Sequence, residues 1–388
     1  MPGPEQRSAE VPVVDLSQQY GELKAELDAA IARVIASSAY IGGADVAGFE
    51  RELAAYLGVR HVVGVANGTD ALELALQAVG IGGGDSVLTV PFTFAGTLEA
   101  IVRVGATPVL ADISPDDFTL DADAAARVFA TQPIKAVIPV HLYGHPADLD
   151  RLLPLAERHG AAVIEDAAQA HGAWCTVAGE RRRVGSVGHL ACFSFYPTKN
   201  LGAMGDAGAV ATDRADLAER VRLLARHGEC GKYRHVVANG RNSRLDGIQA
   251  AVLRVKLAHL DRWNTARRRV AARYRQRLAG LPLRLPEERA GVESVYHQYV
   301  IRVADRDAVR DALARLGIGT AVHYPLALHQ QEGFAQLGYP RGAFPVAEGC
   351  AAEVLSLPMF PQMNEADVDY VSGCVGEVVQ ERRREKES

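Results

Sequence analysis

The chain has 388 residues, 48% of them hydrophobic and 23% charged, so it can bury a sizeable core. These proportions exclude an intrinsically disordered chain and a small disulfide-stapled scaffold. Lys and Arg number 42 against 47 Asp and Glu, and the resulting formal net charge of -5 argues against nucleic acid as the main partner.

Location is predicted from what the sequence lacks. No apolar run reaches the roughly 18 residues of a membrane span, so no membrane association is expected. The start, MPGPEQRSAE, has no apolar core of the kind found in secretion signals. The five cysteines form no CxxC pair, which favours reduced thiols and a cytoplasmic protein.

Apolar residues recur at helical spacing in residues 1–60, which predicts helices there. Short apolar strands then alternate with helices, and this pattern predicts a largely parallel α/β sheet covered on both faces. The helices between strands are predicted at 71–80, 98–105, 121–130 and 148–160. The predicted strands are 61–67, 86–90, 107–112, 135–140, 161–166, 190–196 and 207–212.

A long helix is predicted at about 247–280. Pro282 and Pro286 end it and open a smaller segment. In that segment a strand is predicted near 296–303, with helices at 306–316 and near 364–380.

Two arginine runs and a histidine pair are interpreted without a ligand. Residues 181–183 are predicted to form a polar turn between strands, and residues 267–269 the solvated face of the long helix. His141 and His145 have a spacing that a metal site could use, but the pair lacks an obvious third ligand. We therefore predict no metal.

Polar residues that follow the strands are the first candidates for a ligand site, because ligands of parallel α/β sheets collect where the strands end. Asn67, Gly68 and Thr69 lie between a strand and a helix, where free N–H groups suit a phosphate. A plain helix N-cap is the simpler alternative for this segment. Ser194 ends a later strand and supplies a further hydroxyl that could reach a phosphate.

Asp166 ends the apolar strand AAVIED, and Gln169 follows it. A carboxylate in that position either caps a helix or pairs with a cationic group of a ligand. Glu165 precedes Asp166 directly, so strand alternation should send the two carboxylates to opposite sides of the sheet. One of them can then serve the structure while the other faces the cleft.

Lys199 lies between two apolar strands, with Pro197 and glycines nearby. A lysine that loses solvation there has a lowered pKa and a nucleophilic free amine, although most loop lysines are simply exposed. A lysine that can form a Schiff base, a carboxylate for a pyridinium nitrogen and a phosphate cradle together describe a pyridoxal phosphate site. Phe92 or Phe94 could stack on the ring, while the other packs in the core.

The sequence resembles the sugar aminotransferases of the DegT/DnrJ/EryC1/StrS family, within the fold-type I pyridoxal phosphate enzymes. The resemblance covers nearly the whole chain. It implies a mostly parallel seven-stranded sheet in a large domain over residues 1–255 and a smaller C-terminal α/β domain over residues 256–388. The motifs that carry it are NGTDAL, VPFTFAGT, PVHLYGHPADLD, VIEDAAQAHGA, CFSFYPTKNLGA, GRNSRLDGIQAA and VHYPLALH.

The same resemblance implies roles for individual residues. Lys199 would bind pyridoxal 5'-phosphate covalently and then move the proton, with pyridoxamine phosphate as the intermediate form of the cofactor. Asp166 would pair with the ring nitrogen, Gln169 would contact the ring hydroxyl, and Phe94 would stack on the ring. The phosphate would be held by Gly68, Thr69, Ser194 and, from the neighbouring subunit of an obligate homodimer with shared active sites, Asn242.

The likeness is greatest to enzymes that act at C3 of a dTDP-3-keto-6-deoxyhexose with L-glutamate as amino donor. Some relatives have histidine in place of the lysine and remove a hydroxyl, so Lys199 favours amine transfer. A C4 aminotransferase, a sugar dehydratase and a non-catalytic cofactor-binding regulator stay open as alternatives. Ala44 and His145 depart from the usual family pattern near the expected sugar pocket. The residues implied near the substrate are Tyr233, His235, His323 and Tyr324.

Overall fold

The structure is a computed structural model and describes residues 10–387. The expectation about a secretion signal concerns the start of the chain, and residues 1–9 lie outside this range. The strands are β1 (His61–Val65), β2 (Ser86–Thr89), β3 (Thr107–Leu110), β4 (Ala136–Val137), β5 (Ala162–Asp166), β6 (Trp174–Val177), β7 (Glu180–Arg183), β8 (Leu190–Ser194), β9 (Gly208–Thr212), β10 (Val292–Glu293), β11 (Tyr299–Arg302) and β12 (Val354–Leu357).

The α-helices cover the sheet and extend the chain at both ends. They are α1 (Leu16–Ser37), α2 (Gly43–Leu57), α3 (Gly68–Ala78), α4 (Gly96–Arg103), α5 (Ala122–Thr131), α6 (Leu149–Arg158), α7 (Ala215–Leu224), α8 (Gly247–Leu257), α9 (Leu260–Leu278), α10 (Arg306–Arg315), α11 (Pro345–Glu353) and α12 (Glu365–Glu387). None of these helices, which all lie in the described residues, combines the length and apolar character that crossing a bilayer requires.

Seven strands form the main sheet in the order β1-β9-β8-β5-β4-β2-β3. β9 is antiparallel to both of its neighbours, and the remaining strand pairs are parallel. Side chains from both faces are fully buried, including Val163 and Ile164 on adjacent positions of β5. The predicted mostly parallel seven-stranded α/β sheet is therefore confirmed. This topology brings the carboxyl ends of β1, β2, β5 and β8 to one edge of the sheet.

The predicted helix over 247–280 is wrong as a single element. The chain turns at Ala258 and His259, which separates α8 from α9. The two helices pack on different neighbours, because α8 lies against α1 and α2 while α9 lies against α12. The start of α9 still meets α1, since Trp263 packs in one cluster with Leu23 and Leu27.

The C-terminal segment contains a two-stranded antiparallel sheet of β11 and β12. The predicted strand near 296–303 contains β11, whereas the sequence analysis gave no prediction for β12. Helices α9, α10 and α12 bury their apolar faces against this pair. The division of the chain at residues 255 and 256 stays a prediction.

The interpretation of both arginine runs needs correction. Residues 181–183 belong to strand β7, where the Arg183 guanidinium lies 4.4 Å from the Trp174 ring and 3.9 Å from the Tyr56 ring. Stacking on aromatic faces stabilises a strand that has no apolar alternation. In the second run only Arg267 contradicts the prediction: Arg269 is exposed and Arg268 partly exposed, whereas Arg267 is buried and its guanidinium donates hydrogen bonds to three backbone carbonyls. Those carbonyls belong to Tyr296, His297 and Met359.

Candidate active site

A cavity of about 510 Å³ opens at the edge where the parallel strands end. Most of the residues predicted for the site line it together, although they come from widely separated parts of the chain. The predicted residues in its wall are Gly68, Thr69, Phe94, Asp166, Gln169, Ser194, Lys199 and Tyr324. The wall also contains Thr93, Thr97, Tyr196 and Asp206, which the sequence analysis did not assign.

Lys199 is held by a tight turn after β8. Its backbone N–H donates to the carbonyl of Tyr196 at 2.8 Å. Gly202 closes the turn, where a Cβ atom would lie only 2.2 Å from the Pro197 carbonyl oxygen, so a larger residue does not fit. From α8, the Lys256 ammonium donates to the carbonyl oxygen of Gly202 at 2.8 Å. The backbone carrying the Lys199 amine is therefore fixed from two sides.

The environment of Lys199 favours the free amine. Burial lowers its pKa to about 8, against the opposing effect of the negative charge on Asp166. At pH 7 about one tenth of such amines are unprotonated, compared with a few in ten thousand for an ordinary lysine. The side chain is partly exposed, and it lines the cavity. This amine can act as a nucleophile or a proton acceptor at neutral pH.

Glu165 and Asp166 face opposite sides of β5, as strand alternation predicts. Glu165 is fully buried and accepts hydrogen bonds from the backbone N–H groups of Gly185, Val187 and Gly188. A buried side chain, His141, contacts it as well, with Nε2 3.1 Å from a carboxylate oxygen. Burial raises the pKa of Glu165, but the hydrogen bonds from His141 and the backbone outweigh it and hold that pKa below its ordinary value.

Glu165 therefore serves the structure, and its replacement should cost stability. In Glu165→Gln, one carboxylate oxygen becomes an NH₂ group that faces backbone N–H donors. We expect the free energy of unfolding to fall by about 3 kcal/mol, because buried backbone N–H groups would lose a charged acceptor. Urea denaturation of the purified chain measures this. A loss below about 1 kcal/mol would show that the network around Glu165 is not needed for the fold.

Asp166 lies on the cavity side. Its Oδ2 accepts a hydrogen bond from the Thr97 hydroxyl at 2.9 Å, and its Oδ1 accepts one from the Ala168 N–H at 3.2 Å. Burial raises the pKa of Asp166, while Thr97, Ala168 and the charge of Lys199 oppose the increase. An ionised carboxylate in this position can hold a cationic nitrogen of a ligand in the cavity.

The start of α3 forms an anion cradle. Asn67 caps the helix, and its side chain accepts from the Asp70 N–H at 2.8 Å, so the N-cap interpretation of this residue is confirmed. The N–H groups of Gly68 and Thr69 precede the first backbone hydrogen bond of the helix. A Cβ atom on Gly68 would lie 2.6 Å from the Cβ of Ser194, so only glycine lets the start of α3 approach the end of β8 this closely. The cradle suits a phosphate group.

Phe94 and Gln169 complete the cavity wall. Phe94 is 58% exposed, unlike Phe92, which is buried in the core. Its ring is thus free to cover a planar ligand, with the Tyr324 ring 6.3 Å away. The Gln169 Oε1 accepts from the Tyr143 N–H at 2.6 Å, and this leaves the amide NH₂ on the side of Tyr324, 3.5 Å from its hydroxyl. Gln169 therefore presents a donor to the cavity.

Several predicted residues lie outside the wall of this cavity. Asn242, Tyr233 and His235 are exposed on the segment between α7 and α8. The Nδ1 atom of His323 lies 2.9 Å from the Ser356 hydroxyl, and the His323 backbone carbonyl accepts a hydrogen bond from the Tyr143 hydroxyl. Their roles toward a ligand stay predictions, and the role assigned to Asn242 requires a second subunit.

The two departures from the family pattern also lie outside the cavity wall. Ala44 is exposed in the first turn of α2. His145 is buried, with Nδ1 3.0 Å from the Pro146 carbonyl and Nε2 accepting from the Arg289 N–H at 3.2 Å. His141, the other histidine of the pair considered for a metal, contacts the Glu165 carboxylate through Nε2 and accepts from the Ala147 N–H through Nδ1. The two imidazoles thus have separate protein partners.

Sequence reasoning missed Thr93 and Thr97. Both follow β2 in VPFTFAGT, at the same edge of the sheet as Asp166. Their position after a parallel strand could have indicated them, because the same criterion identified Asp166 at the end of β5. The contact of Thr97 with Asp166 joins residues 69 positions apart and depends on strand order, and Thr93 is linked to Asp166 only through Thr97.

An α/β fold of this topology, with a partly buried lysine of lowered pKa near a carboxylate and a phosphate cradle, is typical of a pyridoxal phosphate enzyme. The groups that line the cavity fit the cofactor by their chemistry, since the N–H groups at the start of α3 would suit a phosphate, the Asp166 carboxylate a ring nitrogen and the Lys199 amine an aldehyde. The chain belongs to the DegT/DnrJ/EryC1/StrS aminotransferase family, which it matches over residues 22–376. It is an aminotransferase that uses pyridoxal phosphate.

Similar proteins include both enzymes and a protein named for regulation. A dTDP-3-amino-3,4,6-trideoxy-alpha-D-glucose transaminase from Streptomyces venezuelae is 46% identical over 95% of this chain and 96% of its own. A pleiotropic regulatory protein from Geobacillus stearothermophilus is 47% identical over 95% of this chain and 98% of its own. The crystal structure of S. venezuelae DesV in complex with a ketimine intermediate superposes with a TM-score of 0.92. It is 46% identical and covers 96% of this chain and 99% of that one.

Proposed function

We propose that this aminotransferase converts a dTDP-linked 3-keto-6-deoxyhexose to the 3-amino sugar with L-glutamate as the amino donor. The observation that carries the proposal is the placement of Lys199 and Asp166 in one cavity with the cradle of α3. The similarity to a dTDP-3-amino sugar transaminase at 46% identity supports the choice of substrate.

Each residue of the cavity has a task in this reaction. Pyridoxal phosphate supplies an aldehyde that takes up the amino group and a ring that accepts the electrons of a carbanion. Gly68, Thr69 and Ser194 would hold its phosphate, and Phe94 would cover its ring. Asp166, as an anion, would keep the ring nitrogen protonated.

Lys199 moves the proton. Since burial lowers its pKa to about 8, the Nζ atom can accept a proton from the α-carbon of the amino donor near neutral pH. The resulting ammonium would pass that proton to the carbon of the cofactor's aldehyde group, and in the second half of the reaction Nζ would take it back from that carbon and deliver it to C3 of the sugar. The turn at Gly202 and the contact from Lys256 keep the amine in place during both transfers.

We also propose a homodimer with shared active sites in the cytoplasm. The exposed position of Asn242 supports a contribution to the neighbouring subunit's cavity, since its own cavity wall does not contain it. The five cysteines are all free, which supports a reducing compartment.

The amino donor and the sugar must occupy the Lys199 cavity in turn, which predicts ping-pong kinetics. Glutamate alone should release one equivalent of 2-oxoglutarate per site, before any sugar is added. Initial rates at several fixed glutamate concentrations should then give parallel lines in double-reciprocal plots. Intersecting lines, or no 2-oxoglutarate until both substrates are present, would contradict the proposal.

Product analysis separates the remaining alternatives. With the dTDP-3-keto sugar we expect a 3-amino product, and with the dTDP-4-keto sugar we expect little turnover. A 4-amino product indicates a C4 aminotransferase, and loss of a hydroxyl indicates a dehydratase. Because one relative is named a pleiotropic regulatory protein, a chain that binds the cofactor without releasing 2-oxoglutarate would indicate regulation instead.

A further inference from the structure

Two buried hydroxyl groups, those of Thr97 and Thr93, connect to Asp166 one after the other. Thr97 is 1% exposed, and its Oγ1 lies 2.9 Å from the Oδ2 of Asp166. Thr93 is 3% exposed, and its Oγ1 lies 3.2 Å from that of Thr97. Neither hydroxyl has a role in the reaction described above.

The direction of these hydrogen bonds follows from the chemistry of the groups. An ionised carboxylate can only accept, so the Thr97 hydroxyl must donate to Asp166. The lone pairs of Thr97 then face Thr93, whose hydroxyl donates in turn. In a buried site, the hydrogen bond from Thr93 polarises the Thr97 hydroxyl and so strengthens the hydrogen bond from Thr97 to Asp166.

Asp166 depends on this chain because its other donor is weaker. The Ala168 N–H is 3.2 Å from Oδ1, at the long end of the hydrogen-bond range. Burial favours the neutral acid, and a neutral acid could not keep a ring nitrogen protonated. Thr97 donates the shorter of these two hydrogen bonds. Its acceptor, the Oδ2 atom of Asp166, is a stronger acceptor when the carboxylate is ionised, so this hydrogen bond favours the ionised form.

We propose that Thr97 is a positioning residue that keeps Asp166 ionised and directed into the cavity, with Thr93 supporting the Thr97 hydroxyl. This inference rests on the cofactor site of the proposed function. It does not depend on which sugar is the substrate.

Other charged or titratable groups face Asp166 and must stay constant in a test. They come from the turn after β8, from the segment after β4, from β8 itself and from the loop before α11. These groups are Lys199, His141, Cys192 and Tyr324. Substitution at Thr97 leaves each of them in the chain.

The first experiment measures the linkage between pH and folding in the full-length chain without cofactor. The folded pKa of Asp166 is above its unfolded value, so stability falls as pH rises from the unfolded pKa to the folded pKa and levels off above it. Thr97→Val keeps the shape, removes the donor and raises that pKa further. We expect its folding equilibrium constant to fall about tenfold more at pH 8 than at pH 4.5.

Matched variants isolate the effect. Thr93→Val removes the second hydroxyl but leaves the direct donor, so its pH-dependent loss should be smaller than that of Thr97→Val. In an Asp166→Asn background, the pH-dependent part of the Thr97→Val effect should vanish. A loss that is the same at both pH values, or that persists in the Asp166→Asn background, would overturn the proposal.

The second experiment uses the loaded enzyme. In Thr97→Val we expect kcat for 2-oxoglutarate release to fall about tenfold with little change in KM, and Thr97→Ser to recover most of it because the donor returns. An unchanged kcat in Thr97→Val, or no recovery in Thr97→Ser, would also overturn the proposal. If the wild-type enzyme does not aminate the dTDP-linked ketone, the proposed function fails while the folding comparison still decides the role of Thr97.

Discussion

Lys199→Ala is expected to abolish turnover while the protein stays folded. Lys199 is the one lysine that residues 10–387 contribute to the cavity wall, so in the variant neither the covalent attachment of the cofactor nor the proton transfers at the two carbon atoms can proceed. We expect kcat to fall at least about a thousandfold, since proton transfer by a positioned base alone contributes up to about 10⁴-fold. The visible absorbance of the protein-bound cofactor should disappear as well.

Lys256 offers a matched control for this experiment. Lys256 is more deeply buried than Lys199, and burial likewise lowers its pKa to about 8, but it donates to the Gly202 carbonyl and does not line the cavity. Lys256→Met should therefore keep the visible absorbance that Lys199→Ala loses. Absorbance that persists in Lys199→Ala, or that disappears in Lys256→Met alone, would move the attachment site away from Lys199.

The pH dependence of cofactor uptake gives an independent check on Lys199. Only the free amine reacts with an aldehyde, and burial lowers the pKa of Lys199 to about 8. The rate at which the cofactor-free enzyme recovers its visible absorbance should rise about tenfold per pH unit below pH 8 and level off above it. A rate that still rises steeply at pH 10 would indicate an ordinary exposed lysine.

The parts of the site that the sequence predicted are those fixed by local periodicity. Asp166 ends an apolar strand, and alternation alone separates it from Glu165. Gly68 and Ser194 each stand at a strand–helix or strand–loop junction of the predicted sheet. Parallel strands then bring these junctions to a shared edge, so the cavity could be predicted before any contact was known.

The parts that sequence reasoning missed depend on tertiary contacts. Thr97 touches Asp166 only because β2 lies near β5 in the strand order. Arg267 is buried because three backbone carbonyls converge on it from distant segments, which a run of arginines does not reveal. Strand β7 is held by stacking on Trp174, and Asn242 needs a second chain to act as predicted.

Asp166→Asn should separate catalysis from folding. Asparagine has the same shape but no charge, so it cannot keep a ring nitrogen protonated, and the ring loses its capacity to accept electrons. We expect kcat to fall about a hundredfold or more, comparable to the loss of a group that stabilises a developing charge. KM for glutamate should change much less, because Asp166 does not contact the donor directly in this assignment.

Stability is where Asp166→Asn should differ from Glu165→Gln, the substitution one residue away. Burial raises the pKa of Asp166 above its unfolded value, so ionisation is a cost to the fold at pH 7 that shrinks as pH falls below the folded pKa and vanishes below the unfolded one. Removing this charge should leave the free energy of unfolding within about 1 kcal/mol of the wild type, whereas Glu165→Gln loses about 3 kcal/mol. Urea denaturation and 2-oxoglutarate release on both variants measure the contrast. If Asp166→Asn unfolded as readily as Glu165→Gln, or kept full turnover, Asp166 would be a structural carboxylate like its neighbour.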